Sequence, residues 1–122
     1  MNQARPADSF LFAYIECALW SSNDESTPQG GEPLDKNYTH EDIDPTTRAT
    51  MKADCERFYN EHRELIEFRA ERAGHDFWLT RNGHGAGFWD GDWPEPAAST
   101  LTEAAQKFGE VNLYVHEGKV YV

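Results

Sequence analysis

The 122-residue sequence predicts an α+β fold in the order α-α-β-β-α-β-β. Three observations predict it. Apolar residues recur at helical spacing through the first 73 residues or so. Aromatic-rich runs then flank Asn82-Gly83, a dipeptide typical of tight hairpins. A second pair of short runs flanks Glu117-Gly118 near the end. Two hairpins imply a four-stranded, mostly antiparallel sheet with the helices packed on one face. The length predicts one domain over residues 1–122, with a long acidic loop at 21–44.

Each element has a local reason. Asp8 or Ser9 is a suitable cap for a helix running to about Trp20. Its apolar residues Phe10, Leu11, Phe12, Tyr14, Ile15, Cys17 and Leu19 leave a narrow polar face, as expected of a central helix. Ser, Asn, Asp, Gly and Pro dominate the next two dozen residues, which reads as a loop, and loops of that length tend to be functional. Asp44-Pro45 supplies an N-cap and a first-turn proline for a second helix, predicted to run to about Ala73 with Gly74 as its C′ residue. Its stripe is Met51, Cys55, Phe58, Tyr59, His62, Leu65 and Ile66, while Arg57/Glu61 and Arg63/Glu67 pair four apart on the other face. Residues 76–80 and 86–89 read as strands around Arg81-Asn-Gly-His-Gly85. Thr100 with Glu103 reads as a capping box for a short helix ended by Gly109. Val111–Val115 and Lys119–Val122 form the last hairpin.

Bulk properties narrow the function. Eleven basic residues against 22 acidic ones give a net charge of −11, which repels nucleic acid and anionic lipid. The charge is concentrated: residues 1–44 hold nine acidic and two basic residues, a net of −7. Four Trp and seven Phe provide core material that a disordered chain lacks. Cys17 and Cys55 match no zinc or redox spacing and sit in apolar helical patterns, so both are read as reduced core residues. The start of the chain lacks a signal-peptide pattern, and the apolar run Phe10–Ile15 is soon interrupted by Glu16. A cytoplasmic location is the expectation.

Candidate chemistry is sparse, and the residues themselves do not show an enzyme. Gly83, Gly85 and Gly87 are expected to precede a strand, whereas a phosphate cradle precedes a helix. His75, His84, Asp90 and Asp92 are the candidates for a metal or small-ligand site, without the short spacings that mark one. Asp90-Gly-Asp92 resembles a calcium loop but lacks its closing glutamate. Cys55 and His62 are seven residues apart, about 10 Å along a helix and too far for a dyad. No cofactor is implied. The aromatic hairpin is the most informative feature. If helices cover the Phe77/Leu79 face, Trp78 and Trp89 lie on the other face near Arg81, and Trp and Arg are prominent in interfaces. Alternatively the acidic loop folds over that face and buries it.

The string His75-Asp-Phe-Trp-Leu-Thr-Arg-Asn-Gly-His-Gly-Ala-Gly-Phe-Trp-Asp90 resembles a family of small proteins encoded by bacteriophages and other mobile elements. Tyr14–Glu25, Gly30–Tyr38 and Leu101–Val115 are similar to it as well, so the resemblance spans most of the chain. It supplies context rather than mechanism and carries over no catalytic residue. It implies an accessory protein that binds a basic host protein, such as a defence nuclease or another nucleic-acid-binding enzyme, by presenting carboxylates where phosphates would dock. The expected partner-binding residues are Glu16, Asp24, Glu25, Glu32, Asp35, Glu41, Asp42 and Asp44, with Trp78, Arg81 and Trp89 as anchors. The alternatives are the metal- or ligand-binding domain on residues 75–92 and an oligomeric structural phage protein.

Overall fold

The computed structural model describes residues 5–25, 31–84, 86–90 and 93–122. Helix α1 spans Pro6–Ser21, starting three or four residues earlier than a cap at Asp8 or Ser9 predicts, because Pro6 is well suited to the first helical position. It buries Phe10, Ala13, Tyr14, Ile15, Cys17, Ala18 and Leu19.

The acidic segment is not a bare loop. Strands β1 (Asn23–Asp24) and β2 (Glu32–Pro33) pair antiparallel, and 3-10 turns follow at Leu34–Lys36 and His40–Asp42. Leu34 is buried and anchors the segment to α1. The second 3-10 turn has a capping box, in which the Thr39 N–H donates to Asp42 and the Thr39 hydroxyl accepts from the Glu41 N–H.

Helix α2 spans Pro45–Glu61 and is capped by Asp44, whose carboxylate accepts from the Thr46 and Thr47 N–H groups. The stripe predicted for it buries Met51, Cys55, Phe58 and Tyr59. The single long helix to Ala73 is not formed. The chain breaks at His62, adds a turn of helix α3 (Arg63–Ile66), reverses through Ile66–Arg69, and restarts as α4 (Ala70–Arg81). The break lets Phe77 return to Phe58, where the rings stack with centroids 4.2 Å apart. In one straight helix those residues would lie about 28 Å apart.

Helix α4 overturns the expected hairpin at 76–89. Asp76, Phe77, Trp78, Leu79, Thr80 and Arg81 are buried in succession, so the run is apolar because neighbours surround it, not because it alternates across a sheet. Asn82-Gly83 ends this helix instead of turning a hairpin. Gly83 has φ +68°, its N–H donates to the Thr80 carbonyl at 3.2 Å, and the His84 N–H donates to the Leu79 carbonyl at 3.0 Å. Those two bonds are a Schellman motif. Gly74, expected as a C′ residue, lies inside α4. A Cβ there would collide with the Phe10 carbonyl, so glycine sets the close approach of α1 and α4.

Residues 86–90 and 93–96 fold back onto α4. The Phe88 N–H donates to the Thr80 hydroxyl, and the Trp93 indole donates to Asp76 at 2.8 Å. Helix α5 spans Ala97–Lys107, starting four residues earlier than the Thr100/Glu103 box predicts, so Thr100 lies inside it and caps nothing. Pro96 stands at its N-cap position, and the preceding Glu95 accepts from the Ser99 N–H and hydroxyl of the first turn. Gly109, at φ +77°, follows its end as predicted. The last hairpin is present as β3 (Tyr114–His116) and β4 (Lys119–Tyr121), with Tyr114 opposite Tyr121. Its turn residues Glu117 and Gly118 both have positive φ. The mixed helix-and-strand class is therefore correct, but among the described residues two two-stranded sheets replace the four-stranded one. The core is built on an aromatic cluster of Phe10, Tyr14, Phe58, Phe77 and Trp78 from the helices, with Phe88 added from the turn that follows α4. Among the described residues no helix is long and apolar enough to cross a membrane.

Candidate partner-binding face

Helix α1 has an outer face that composition hides. Phe12, Glu16 and Trp20 are spaced four apart and so project from one side, about 6 Å from one to the next along the axis. Phe12 and Trp20 are each 56% exposed, and Glu16 is exposed between them. Each ring is flanked by an imidazole. His40 stacks on Phe12 with centroids 4.4 Å apart and planes 19° from parallel, and His75 of α4 lies 5.9 Å from Trp20. Burial lowers the pKa of His40, with Arg48 acting in the same direction and Glu16 opposing it. The imidazole beside Phe12 is thus held neutral at physiological pH.

The acidic segment borders this face because Leu34 packs it against α1. Of its expected binding carboxylates, Glu25, Asp35 and Glu41 are exposed. Glu32 is exposed too but pairs with Lys36 at 2.9 Å. Asp24 is half-buried in β1. Asp42 and Asp44 are occupied as helix and turn caps, so their first role is structural.

The expected anchors divide. Trp89 is 52% exposed, beside Glu95, Ser99 and Glu103 on another side of α5. Trp78 is 2% exposed, packed edge-on to Tyr14, with its indole donating to the Ser21 hydroxyl at 2.8 Å. The end of α1, not a sheet face, covers it. Arg81 is buried as well. Its guanidinium donates to Asp54 at 2.9 Å, to the Tyr14 hydroxyl at 3.0 Å, and to the carbonyls of Phe108 and Gly109. It also lies over the rings of Phe77 and Phe108. An arginine with its donors so engaged ties α1, α2 and α4 to the end of α5; it is not offered to a partner. Neither Trp78 nor Arg81 is therefore on the surface where the hairpin reading placed it.

The metal candidates are not gathered. His75 sits beside Trp20, His84 is exposed at the end of α4, and Asp90 accepts from the Gly87 N–H. Asp92 lies outside the described residues, as does Gly85 of the glycine triplet. Among the described residues no group of three or more His, Cys, Asp or Glu could hold a metal ion. Burial pushes the Cys17 thiol up to about 12 and also raises Cys55 well above the ordinary range, which makes both poor nucleophiles.

A cleft of about 470 Å³ lies between α2 and α5, lined by Asp54, Arg57, Glu61, His62, Glu103 and Lys107. Arg57 pairs with Glu61 at 3.7 Å and lies over Phe108. Three carboxylates, Asp54, Glu61 and Glu103, there face two cations, Arg57 and Lys107, and burial lowers the pKa of His62, so the cleft is slightly acidic and has no cationic centre for an anion.

Phe12 and Trp20 were missed in the sequence because α1 looks apolar on every side. The usable signal was Glu16: a lone glutamate in an apolar helix marks the solvent side, and residues four before and four after share it. Comparison with protein-family models, curated proteins and solved structures returned no match.

Proposed function

We propose that this chain is an accessory protein of the bacteriophage or mobile-element kind that acts in the host cytosol by binding a basic host protein. The partner class is a nucleic-acid-binding enzyme, such as a defence nuclease, whose phosphate-docking surface the carboxylates occupy in competition with nucleic acid. The observation that carries this reading is the exposed Phe12–Glu16–Trp20 face, bordered by the acidic segment. Exposed aromatics are the side chains that contribute most at interfaces, and a rim of one sign of charge selects and steers a partner of the other.

The test is capture from host lysate on the immobilised protein, followed by reconstitution with the purified partner. A basic protein should be retained, and its affinity should fall steeply between about 50 mM and 500 mM salt, where the Debye length shrinks from about 14 Å to about 4 Å. The charge-neutral variant Glu16→Gln/Asp35→Asn/Glu41→Gln should bind more weakly at low salt. Retention of no basic partner, or affinity indifferent to ionic strength, would refute the reading.

A further inference from the structure

We propose that the outer face of α1 is an arginine-binding site: a partner's guanidinium pairs with Glu16 and stacks on the Trp20 ring, with Phe12 closing the other side. This rests on the basic-partner reading above and specifies its contact.

Three features of the face support it. A carboxylate stands midway between two exposed rings, each about 6 Å away along the helix axis. That spacing admits one planar cation, which can satisfy the carboxylate and face an aromatic ring at once. Guanidinium suits the role better than ammonium, because it is planar, weakly hydrated and stacks on aromatic faces. The rings are also held in place, Phe12 by the stacked His40 and Trp20 by His75. Rings positioned before binding lose less freedom on contact.

Charge decides among the occupants. A second copy of this chain also carries −11, so two copies repel one another at low salt. A purely apolar partner would leave Glu16 desolvated without a counter-charge at the centre of the contact. An arginine-bearing segment of a basic protein satisfies both the rings and the carboxylate.

The test uses the full chain, labelled with nitrogen-15, titrated with a synthetic peptide of arginines separated by glycines. A lysine–glycine peptide of equal charge serves as the comparison. The Trp20 indole resonance, assigned from Trp20→Phe, should shift saturably, and the Trp89 indole should shift less. Trp20→Ala should weaken binding about tenfold, and Trp20→Phe should keep most of it. Glu16→Gln should weaken it about fivefold, and Glu103→Gln, on α5, less than about twofold. The lysine peptide should bind more weakly than the arginine peptide.

Two outcomes would overturn the site. One is the absence of a saturable Trp20 shift. The other is equal losses from Glu16→Gln and Glu103→Gln, with Trp20→Ala unchanged. Salt-sensitive capture of a basic host protein alongside either outcome would leave the partner reading standing and remove only this contact.

Discussion

Asp76 illustrates what one buried carboxyl does. It is 2% exposed and accepts from the Trp93 indole, which fastens Trp93 to α4. Burial raises its pKa, with the Trp93 donor and Arg72 opposing. A carboxyl raised in the folded state holds its proton more tightly there than in the unfolded chain. Its ionisation therefore subtracts stability as pH climbs from the unfolded value, 3.8, through the raised folded value. Asp76→Asn keeps an oxygen to accept from Trp93 and removes the charge. It should be more stable than the parent at neutral pH, with the difference closing below about pH 4. Thermal unfolding followed by circular dichroism from about pH 3 to about pH 8 reads this directly, and a pH-independent difference would contradict it. In the sequence Asp76 is merely the first residue of a run read as a strand. The side chain that buries and bonds it comes from Trp93, 17 residues on, and no local pattern announces that contact.

At the scale of elements, two backbone positions decide how the helices meet. Gly74 costs α4 about 1 kcal/mol relative to alanine by propensity alone. It is retained where the Phe10 carbonyl crosses, and a Cβ would meet backbone atoms of Phe10 that have no side-chain freedom to yield. Gly74→Ala should therefore destabilise the protein by about 2 kcal/mol, measured by denaturant unfolding, against the gain that propensity alone predicts. Glu67 is the converse. It sits at φ 52° and ψ −123°, and the Arg69 N–H closes the turn onto the Ile66 carbonyl at 3.0 Å. That is the first central position of a type II′ turn, where glycine is favoured. The Glu67 side chain is exposed, so Glu67→Gly should raise stability by about 0.5–1 kcal/mol in the same assay. A loss would show that the glutamate makes a contact its exposure hides. The capping of α2 by Asp44, the stop at Gly109 and the final hairpin were all legible locally. The break at 62–69 was not, because no proline or glycine marks it; the return of Phe77 onto Phe58 imposes it.

For the whole molecule, the distribution of charge and aromatics matters more than either total. Among the described residues, Arg5, Lys36, Arg57, Arg72 and Arg81 are tied into ion pairs with carboxylates, and the acidic segment is fastened along α1 through Leu34. Association through that face is expected to be fast and salt-sensitive, since a field of one sign steers an oppositely charged partner. A partner that binds with equal affinity at low and high salt would have to use another surface, such as the one around Phe68, which is 86% exposed.

Sequence alone determined the mixed class, the acidic bias of the first 44 residues, the caps at Asp44 and Gly109, the reduced cysteines and the final hairpin. These depend on composition or on residues within a few positions of one another. Tertiary structure alone decided that 76–81 is a helix, that Trp78 and Arg81 are interior, and that Phe12 and Trp20 are exterior. A run of consecutive apolar residues suits a buried strand or a buried helix equally, and only the elements packed around it choose. Which side of an apolar helix faces solvent is settled likewise by its neighbours. Here α2 and α4 cover the Phe10 and Tyr14 side of α1 and leave Phe12, Glu16 and Trp20 facing outward.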